Sequence, residues 1–242
     1  MRHCKLLSFI QINTSANFEV IHCLKMTKRN KIGVLDLQGG VLEHINHLQA
    51  LGIEAVRVKE ASQFSDLAGL ILPGGESTCL IRLLNIFNIT PTLKVAFADG
   101  MKIWGTCAGT ILLANKIEGD NTQLNLMDIS VARNAFGFQL DSFNTKVKVP
   151  KVCAHEIDLT FIRAPKITKV GVNVKVLLNI DDYIAAAEDE NCLATVFHPE
   201  LTPSLAFHKY FVEKCGLQTN DSHDSLKRTS WMKLARITAP SE

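Results

Sequence analysis

The stretch IWGTCAGT, at residues 103–110, places a cysteine between small residues. The apolar run before Cys107 is predicted to be a strand, and the residues after it are predicted to begin a helix. Gly105, Ala108 and Gly109 leave room for a sharp strand-turn-helix corner of the kind that presents a nucleophile. The N-terminus of such a helix would favour a thiolate over a thiol. From these residues alone, a small thiol buried in the core is the competing interpretation.

A second motif, FHPEL at 197–201, supplies the groups that would activate such a thiol. A thiol nucleophile needs a base, and the base needs an acceptor that orients it. His198 can take the proton, and Glu200 can hold the other ring nitrogen. Pro199 fixes φ between them and restrains the turn. A polar turn at the end of a strand is the alternative, but the coincidence with Cys107 at another strand end favours a catalytic pair.

A third motif, LPGGEST at 72–78, follows an apolar strand with two glycines. Glycines let the backbone approach a ligand closely, so the amides of Gly74 and Gly75, with that of Ala108, could stabilise an oxyanion. The rival interpretation is a phosphate-binding loop. The patterns GxxxxGK[ST] and GxGxxG are absent, and Glu76 would repel a phosphate, so a nucleotide site is not predicted.

The elements that must position these motifs alternate in the first half of the chain between strand and helix. The alternation runs from the predicted strand 31–37 to the segment 111–117, predicted to be helical, and indicates βαβ units with a mostly parallel sheet. Ligands bind at the carboxyl ends of such strands. The second half is rich in predicted strands, including 145–150 and 157–164, which we expect as antiparallel additions to the same sheet. A helix is predicted at 203–215.

Composition places the chain among ordinary globular proteins. It has 242 residues, a formal net charge of +2, 47% apolar and 21% charged residues. These values predict one domain, with no basic footprint for nucleic acid and no polybasic membrane patch. Seven scattered cysteines without a CxxC pair predict reduced thiols in the cytoplasm and no zinc site. We expect a disordered extension at 1–30, the domain at 31–215 and a flexible tail at 216–242.

Taken together, the motifs of this chain resemble those of the class I (triad) glutamine amidotransferases. The patterns LQGxxxEH, PGGEST, RNxFG and FIRAP narrow the resemblance to the glutaminase subunit of pyridoxal 5′-phosphate synthase. It spans residues 31–215 and includes the order and spacing of the motifs, whereas we expect the two terminal segments to have no family counterpart. The motifs that carry it are IGVLDLQGG, LPGGEST, WGTCAG, RNAFG, FIRAP and FHPEL.

The resemblance implies an α/β, flavodoxin-like three-layer fold, with a mostly parallel central sheet and antiparallel additions. It implies hydrolysis of L-glutamine to L-glutamate and ammonia through a cysteine thioester, with no metal and no cofactor. Cys107 matches the nucleophile, His198 the general base and Glu200 its orienting partner. Both charged groups of the substrate would need partners, an Arg for the carboxylate and a Glu for the ammonium group. The matched substrate-binding residues are Gly75, Glu76, Ser77, Arg133, Ile162 and Arg163.

The resemblance also implies a partner, a (β/α)₈-barrel synthase subunit that receives the ammonia in a hetero-oligomer and activates the glutaminase. We therefore expect the oxyanion loop to be incompletely formed without the barrel. We expect His47 to lie on a solvated helix face, and His155, His208 and His223 match no catalytic motif. The residues that match a segment near the activating interface are Gln38, Gly39, Gly40, Glu43 and His44.

Other functions remain open on the sequence. One is a glutaminase serving another pathway, such as imidazole glycerol phosphate synthesis, which also uses a (β/α)₈ barrel; FIRAP and RNxFG argue against it. Another is a non-catalytic subunit of the same fold, against which the intact Cys107, His198 and Glu200 argue. A papain-like protease would need an Asn to orient its base, and the βα pattern before Cys107 argues against that fold.

Overall fold

The computed structural model describes residues 29–118, 124–133, 142–220 and 225–226. The remaining parts of the predicted extension and tail, and residues 134–137 of RNAFG, lie outside the described residues. The strands are β1 (Lys31–Leu35), β2 (Glu54–Val58), β3 (Leu67–Leu72), β4 (Lys102–Thr106), β5 (Ala114–Ile117), β6 (Met127–Ala132), β7 (Phe143–Val149), β8 (Cys153–Phe161), β9 (Lys166–Val170), β10 (Lys175–Ile180), β11 (Tyr183–Glu188) and β12 (Cys192–Thr195). The helices are α1 (Val41–Ala50), α2 (Ser77–Ile86), α3 (Thr90–Ala98), α4 (Ala108–Leu113) and α5 (Ala206–Lys214), with 3₁₀ turns at Ala61–Phe64 and Pro199–Leu201.

The central sheet has the strand order β2-β1-β3-β4-β12-β11-β9-β6-β5, with β10 paired to β11. The five strands from β2 to β12 are all parallel to their neighbours, as expected of strands joined through helices. Antiparallel pairing begins where β12 meets β11 and continues through β9 to β6. Helix α1 packs on α5, and α2 packs on α4. The predicted fold class, a mostly parallel α/β sheet with antiparallel additions, is confirmed.

The predicted secondary structure is wrong in part around residues 111–117. The segment 111–117 is not helical throughout, since α4 ends at Leu113 and β5 begins at Ala114. In β5 the outer residues are buried and the two between them are exposed, which leaves too short an alternation to reveal a strand in the sequence. Strand β9 was not recognised either, because only one of its five residues is buried.

Strands β7 and β8 form a separate two-stranded antiparallel sheet. The prediction that 145–150 and 157–164 extend the central sheet is therefore wrong. In β7 half-buried and exposed residues alternate, so one face is left to solvent. This hairpin is anchored by aromatic packing, with ring centroids 4.5 Å apart for Phe143 and Phe161 and 5.5 Å apart for Phe161 and Phe197. Ile162 and Arg163 follow the end of β8 and line the cavity described below.

The ordered structure continues past the domain boundary predicted at residue 215. Leu217 and Leu226 pack against the core. The amide of Asn220 donates to the carbonyl of Leu51 at 3.0 Å, and the amide of Leu226 donates to that of Pro203 at 2.8 Å. The part of the predicted tail that the structure describes is therefore docked on the domain.

Among the described residues, no single helix is long and apolar enough to cross a bilayer. The pair α2 and α3 meets that test jointly, but the two helices are bent by 94°. Several apolar residues of the two helices and of their connection belong to the core of the domain, among them Leu80, Leu84, Ile89 and Leu93.

Three neighbouring strands of the sheet end at the three motifs. In the register of the sheet, Leu72 of β3 lies beside Gly105 of β4, and Thr106 of β4 lies beside Thr195 of β12. The strands run in the same direction, so the LPGGEST loop, Cys107 and the FHPEL turn emerge from one edge. The fold thus brings together residues that are far apart in the sequence.

Candidate active site

Cys107 occupies the corner between β4 and α4 in a conformation that few side chains adopt, with φ 50° and ψ −108°. Its backbone amide donates to the carbonyl of Thr195 at 2.8 Å, which ties the corner to β12. The small neighbours are required by close contacts. A Cβ on Gly109 would lie 1.9 Å from the carbonyl oxygen of Leu72, and one on Gly105 would lie 2.5 Å from the backbone of Gly109. The structure thus holds Cys107 on the kind of corner that the sequence predicts.

His198 and Glu200 lie beside this corner. The Nδ1 of His198 is 2.7 Å from Oε1 of Glu200, and the backbone amide of His198 donates to the carbonyl of Thr160 at 2.8 Å. The side chain of Cys107 lies close enough to the ring of His198 to raise its pKa. A Cβ on Gly74 would lie 2.5 Å from Cε1 of His198 and 3.3 Å from Cβ of Cys107, so only glycine fits there. The three side chains form a continuous chain from thiol to carboxylate.

The charges in this chain support one another. Burial by itself would lower the pKa of His198, but the charge and hydrogen bond of Glu200, together with Cys107, raise it well above its usual value. Burial would raise the pKa of Glu200, yet His198 and His44 bring it down to about 2. A protonated imidazole beside Cys107 and an ionised carboxylate behind it are therefore favoured at neutral pH.

A cavity of about 410 Å³ opens in front of Cys107 and His198. Its walls include every residue that the sequence predicts to bind substrate, namely Gly75, Glu76, Ser77, Arg133, Ile162 and Arg163. Three wall residues escaped that prediction, namely Gln38, Ile111 and Pro165. Gln38 was expected near a partner, but its Oε1 accepts from the amide of Glu76 at 3.0 Å, so it also shapes the cavity.

Two kinds of charge face each other across the cavity mouth. Glu76 caps α2, where its carboxylate accepts from the amides of Thr78 at 3.3 Å and Cys79 at 2.7 Å. The hydrogen bond from the hydroxyl of Thr78 and those amides lower the pKa of Glu76, and Arg133 contributes. The guanidinium of Arg133 lies 3.4 Å from Oε1 of Glu76. Arg163 is exposed and adopts a left-handed φ of 43°. An anionic and a cationic subsite thus border one pocket.

The residues predicted to offer amides to an oxyanion, Gly74, Gly75 and Ala108, lie close to Cys107. Ala108 is the first residue of α4, and the amides at a helix start have no partner within the helix. Gly74 is buried against His198 and Cys107, and Gly75 adopts a φ of 145° that favours glycine. The Sγ of Cys107 lies 3.9 Å from the carbonyl of Ile162, which lies on the cavity wall.

The segment predicted to lie near a partner divides into surface and interior. Gly39 is exposed, while Gln38, Gly40 and Glu43 are half-buried. His44 is completely buried within the chain. It follows Val41 by three residues and precedes Leu48 by four, so it lies on the core face of α1. That spacing is the signal that the sequence interpretation missed.

His47, expected on a solvated face, is also buried, at 1% exposure. Its Nδ1 lies 2.8 Å from the carbonyl of Glu43 and its Nε2 lies 2.9 Å from that of Thr202, so the one N–H of the neutral ring has an acceptor in either tautomer. His208 of α5, which matched no motif, is fully buried as well. Its ring centroid lies 5.0 Å from that of Trp104. Within the described residues, no group of His, Cys, Asp and Glu is arranged to hold a metal ion.

Comparisons with known proteins match this chain to one family. The family model described as the SNO glutamine amidotransferase family matches residues 34–217. A protein of Syntrophus aciditrophicus (strain SB), named pyridoxal 5′-phosphate synthase subunit PdxT, is 55% identical over 215 residues, which cover 86% of this chain and 96% of that protein. A protein of the same name from Clostridium beijerinckii is 50% identical over 184 residues, covering 76% of this chain and 97% of that protein.

The alignment with the Syntrophus protein is longer than the predicted domain 31–215, so its similarity includes part of the terminal segments. The expectation that those segments have no counterpart is therefore wrong in part. Among solved structures, a crystal structure of a glutamine amidotransferase is similar with a TM-score of 0.72 and 38% identity, covering 77% of this chain and 99% of that one. The matched family model spans most of the residues that carry the cavity, and on that basis the chain belongs to the SNO glutamine amidotransferase family.

Proposed function

We propose that this chain is the glutaminase subunit of a pyridoxal 5′-phosphate synthase, hydrolysing L-glutamine and supplying ammonia for vitamin B6 biosynthesis. The observation that carries the proposal is that Cys107 and His198, the latter hydrogen-bonded to Glu200, line one cavity with all six predicted substrate residues. The shared name of the two relatives supports the choice of pathway. The family membership supports the reaction type.

The reaction proceeds in two halves. The thiolate of Cys107 attacks the carboxamide carbon of glutamine, and the amides of Ala108 and the Gly74–Gly75 loop receive the developing oxyanion. His198 gives its proton to the leaving nitrogen, which departs as ammonia and leaves a thioester on Cys107. His198 then takes a proton from water, whose oxygen attacks the thioester carbon. The C–S bond breaks, glutamate leaves and the thiolate is restored.

Recognition of glutamine uses the charges at the cavity mouth. The α-ammonium group pairs with Glu76, and the α-carboxylate pairs with Arg133 or Arg163, each in the orientation that puts the carboxamide against Cys107. Ser77 and Ile162 border the same pocket. The volume of about 410 Å³ is within the range of pockets for small molecules.

The proposal includes a partner and a place of action. The ammonia passes to a (β/α)₈-barrel synthase subunit in a hetero-oligomer, whose docking on the segment from Gln38 to Glu43 activates the glutaminase. Gln38 reaches the cavity and Gly39 is exposed, so this segment connects surface to site. The domain 31–215 carries the activity. The five described cysteines are unpaired, which fits the cytoplasm.

The proposal is tested by measuring glutamate and ammonia released from L-glutamine by the chain alone, with a pyridoxal 5′-phosphate synthase barrel, and with the barrel of imidazole glycerol phosphate synthase. We expect release to rise only with the first barrel and to vanish in Cys107→Ala. A rise with the second barrel alone would contradict the pathway. No release with either barrel would contradict the enzyme activity and favour a non-catalytic subunit.

A further inference from the structure

One oxygen of the triad carboxylate has no hydrogen bond within the part of the chain that the structure describes. Glu200 is 1% exposed, and its Oε1 is held by His198, but its Oε2 is buried without a hydrogen-bond partner. An ionised carboxylate oxygen buried in this way is costly unless a donor compensates its charge. The position of any nearby donor therefore decides how firmly Glu200 is held.

A ring nitrogen of His44 lies close to that oxygen. Its Nε2 lies 3.5 Å from Oε2 of Glu200 and also 3.5 Å from Oγ1 of Thr106. The approach is permitted by Gly40 at the start of α1, where a Cβ would lie 3.0 Å from Cγ of Glu200. At 3.5 Å, Nε2 of His44 and Oε2 of Glu200 are at the outer limit of hydrogen-bond distance.

The hydrogen atoms can be assigned from the next contact. The Nδ1 of His44 lies 2.8 Å from Nε2 of His208, so one of the two nitrogens donates and the other accepts. Burial lowers the pKa of His44 to about 4 and that of His208 well below its usual value, so both rings are neutral at neutral pH. Each ring therefore carries one N–H, and only two assignments are possible.

The two assignments differ greatly in what they leave unpaired. If His44 donated to His208, the Nδ1–H of His208 would be a buried donor without an acceptor, since that atom has no partner among the described residues. The bare Nε2 of His44 would then face the carboxylate of Glu200. If His208 donates instead, only a bare nitrogen of His208 is left unpaired, and His44 presents an N–H to Glu200. Orphaned buried donors are rare, so the second assignment is favoured.

We infer that His44 is a positioning residue for the triad: its Nε2–H holds Oε2 of Glu200, and His208 fixes the tautomer in which it does so. The hydrogen bonds then run in one direction, from His208 to His44 to Glu200. With Oε2 held, Oε1 stays on the Nδ1–H of His198, whose Nε2 is left to exchange a proton with Cys107. This inference rests on the proposed function, since it assigns His44 a role in that hydrolysis.

Two amide substitutions separate positioning from packing. In His44→Gln the amide nitrogen can reach the place of Nε2, whereas in His44→Asn it reaches only the level of Nδ1. We expect His44→Asn to lower kcat for glutamine by about 10- to 100-fold with little change in KM, and His44→Gln to recover most of the loss. His47→Asn is the matched packing control: His47 is buried on the same helix and packs on His208, with ring centroids 4.4 Å apart, but its nitrogens lie beside the carbonyls of Glu43 and Thr202 and not beside Glu200.

The pH profile gives a readout that packing does not move. The titratable groups that act on His44 are Glu200 and His198 from the FHPEL turn and His47 from its own helix, and His208 of α5 lies against it. Since Glu200 raises the pKa of His198, a loosened Glu200 lets that pKa fall. We expect the alkaline limb of kcat/KM to move to lower pH in His44→Asn but not in His44→Gln or His47→Asn.

Alkylation of Cys107 by iodoacetamide, followed by peptide mass spectrometry, gives a second readout without turnover. If the imidazolium of His198 loses its proton at lower pH, it stabilises the thiolate less, so the pH at which alkylation is half-maximal should rise in His44→Asn. If folded His44→Asn keeps the wild-type alkaline limb of kcat/KM and the wild-type alkylation midpoint, the role of His44 is overturned. The proposed function still stands in that case, as long as the wild type hydrolyses glutamine. Equal losses in Asn and Gln variants would also overturn it. An inactive wild-type complex with an unshifted alkylation midpoint would overturn both.

Discussion

The behaviour of single residues here follows from burial and from close contact. Cys107 is held in a rare backbone conformation by glycines that have no space for a side chain. Glu200 is buried yet ionised, because the rings of His198 and His44 adjoin it. The same buried charge that prepares His198 for proton transfer also links the stability of the domain to pH.

The substitution Glu200→Gln tests that link. Folding lowers the pKa of Glu200 from 4.5 to about 2, so its charge stabilises the fold fully above pH 4.5 and the contribution is lost as pH falls toward 2. Over that window we expect the free energy of unfolding of the wild type to fall by about 3 kcal/mol more than that of Glu200→Gln. Urea unfolding at several pH values measures the difference. Parallel curves would contradict the lowered pKa.

Secondary-structure elements place the site by their ends. Strands β3, β4 and β12 are adjacent and parallel, and the LPGGEST loop, Cys107 and the FHPEL turn follow their carboxyl ends. Helix α2 begins at Ser77 and is capped by the side chain of Glu76. Glu76 also borders the cavity. A single carboxylate therefore serves both the helix and the proposed ammonium subsite.

Those two roles of Glu76 are separable. Ser is a good N-cap but carries no charge, whereas Ala does neither. We expect Glu76→Ala to lower the free energy of unfolding by about 1 kcal/mol and to raise KM for glutamine, and Glu76→Ser to recover the stability but not the KM. Denaturant unfolding and steady-state glutaminase kinetics give the two values. Recovery of KM in Glu76→Ser would show that the carboxylate does not bind substrate.

Predictability at this scale depends on how long a pattern lasts. The strands and helices around Cys107 and His198 are framed by glycines and apolar runs, and the sequence predicts them well. Strand β5 is four residues long, too short for the sequence to reveal it. Strands β7 and β8 are predicted as strands, but alternation in a strand such as β7 does not show which sheet the strand joins. In the sequence His44 is a polar residue of a helix, and its burial follows from the packing of α5 against α1.

At the scale of the whole domain, the described part of the C-terminal segment packs against the core. The described part of the C-terminal segment reaches back to the loop after α1 through Asn220 and to the turn before α5 through Leu226. A Cβ on Gly52 would lie 2.4 Å from the side chain of Asn220, which shows how closely the segment is docked. These contacts lie outside the cavity lining, so they should affect stability more than chemistry.

Truncation separates the two. We expect a chain ending after Leu217 to lose about 1–2 kcal/mol of unfolding free energy, as two backbone hydrogen bonds and the burial of Leu226 are removed. A chain ending after Leu226 keeps those contacts and serves as the control. Glutaminase kcat with the barrel should be the same in both. A loss of kcat confined to the shorter chain would mean that this segment supports the site.

The nucleophile itself is identified by one labelling measurement. A diazoketone analogue of L-glutamine, which alkylates the thiolate that attacks it, is incubated with the complex of chain and barrel, and the adduct is located by peptide mass spectrometry. We predict a single adduct, on Cys107, that excess L-glutamine prevents and that is retained in the control variant Cys79→Ser. An adduct on another cysteine, or glutamine hydrolysis that persists in Cys107→Ala, would contradict the role assigned to Cys107.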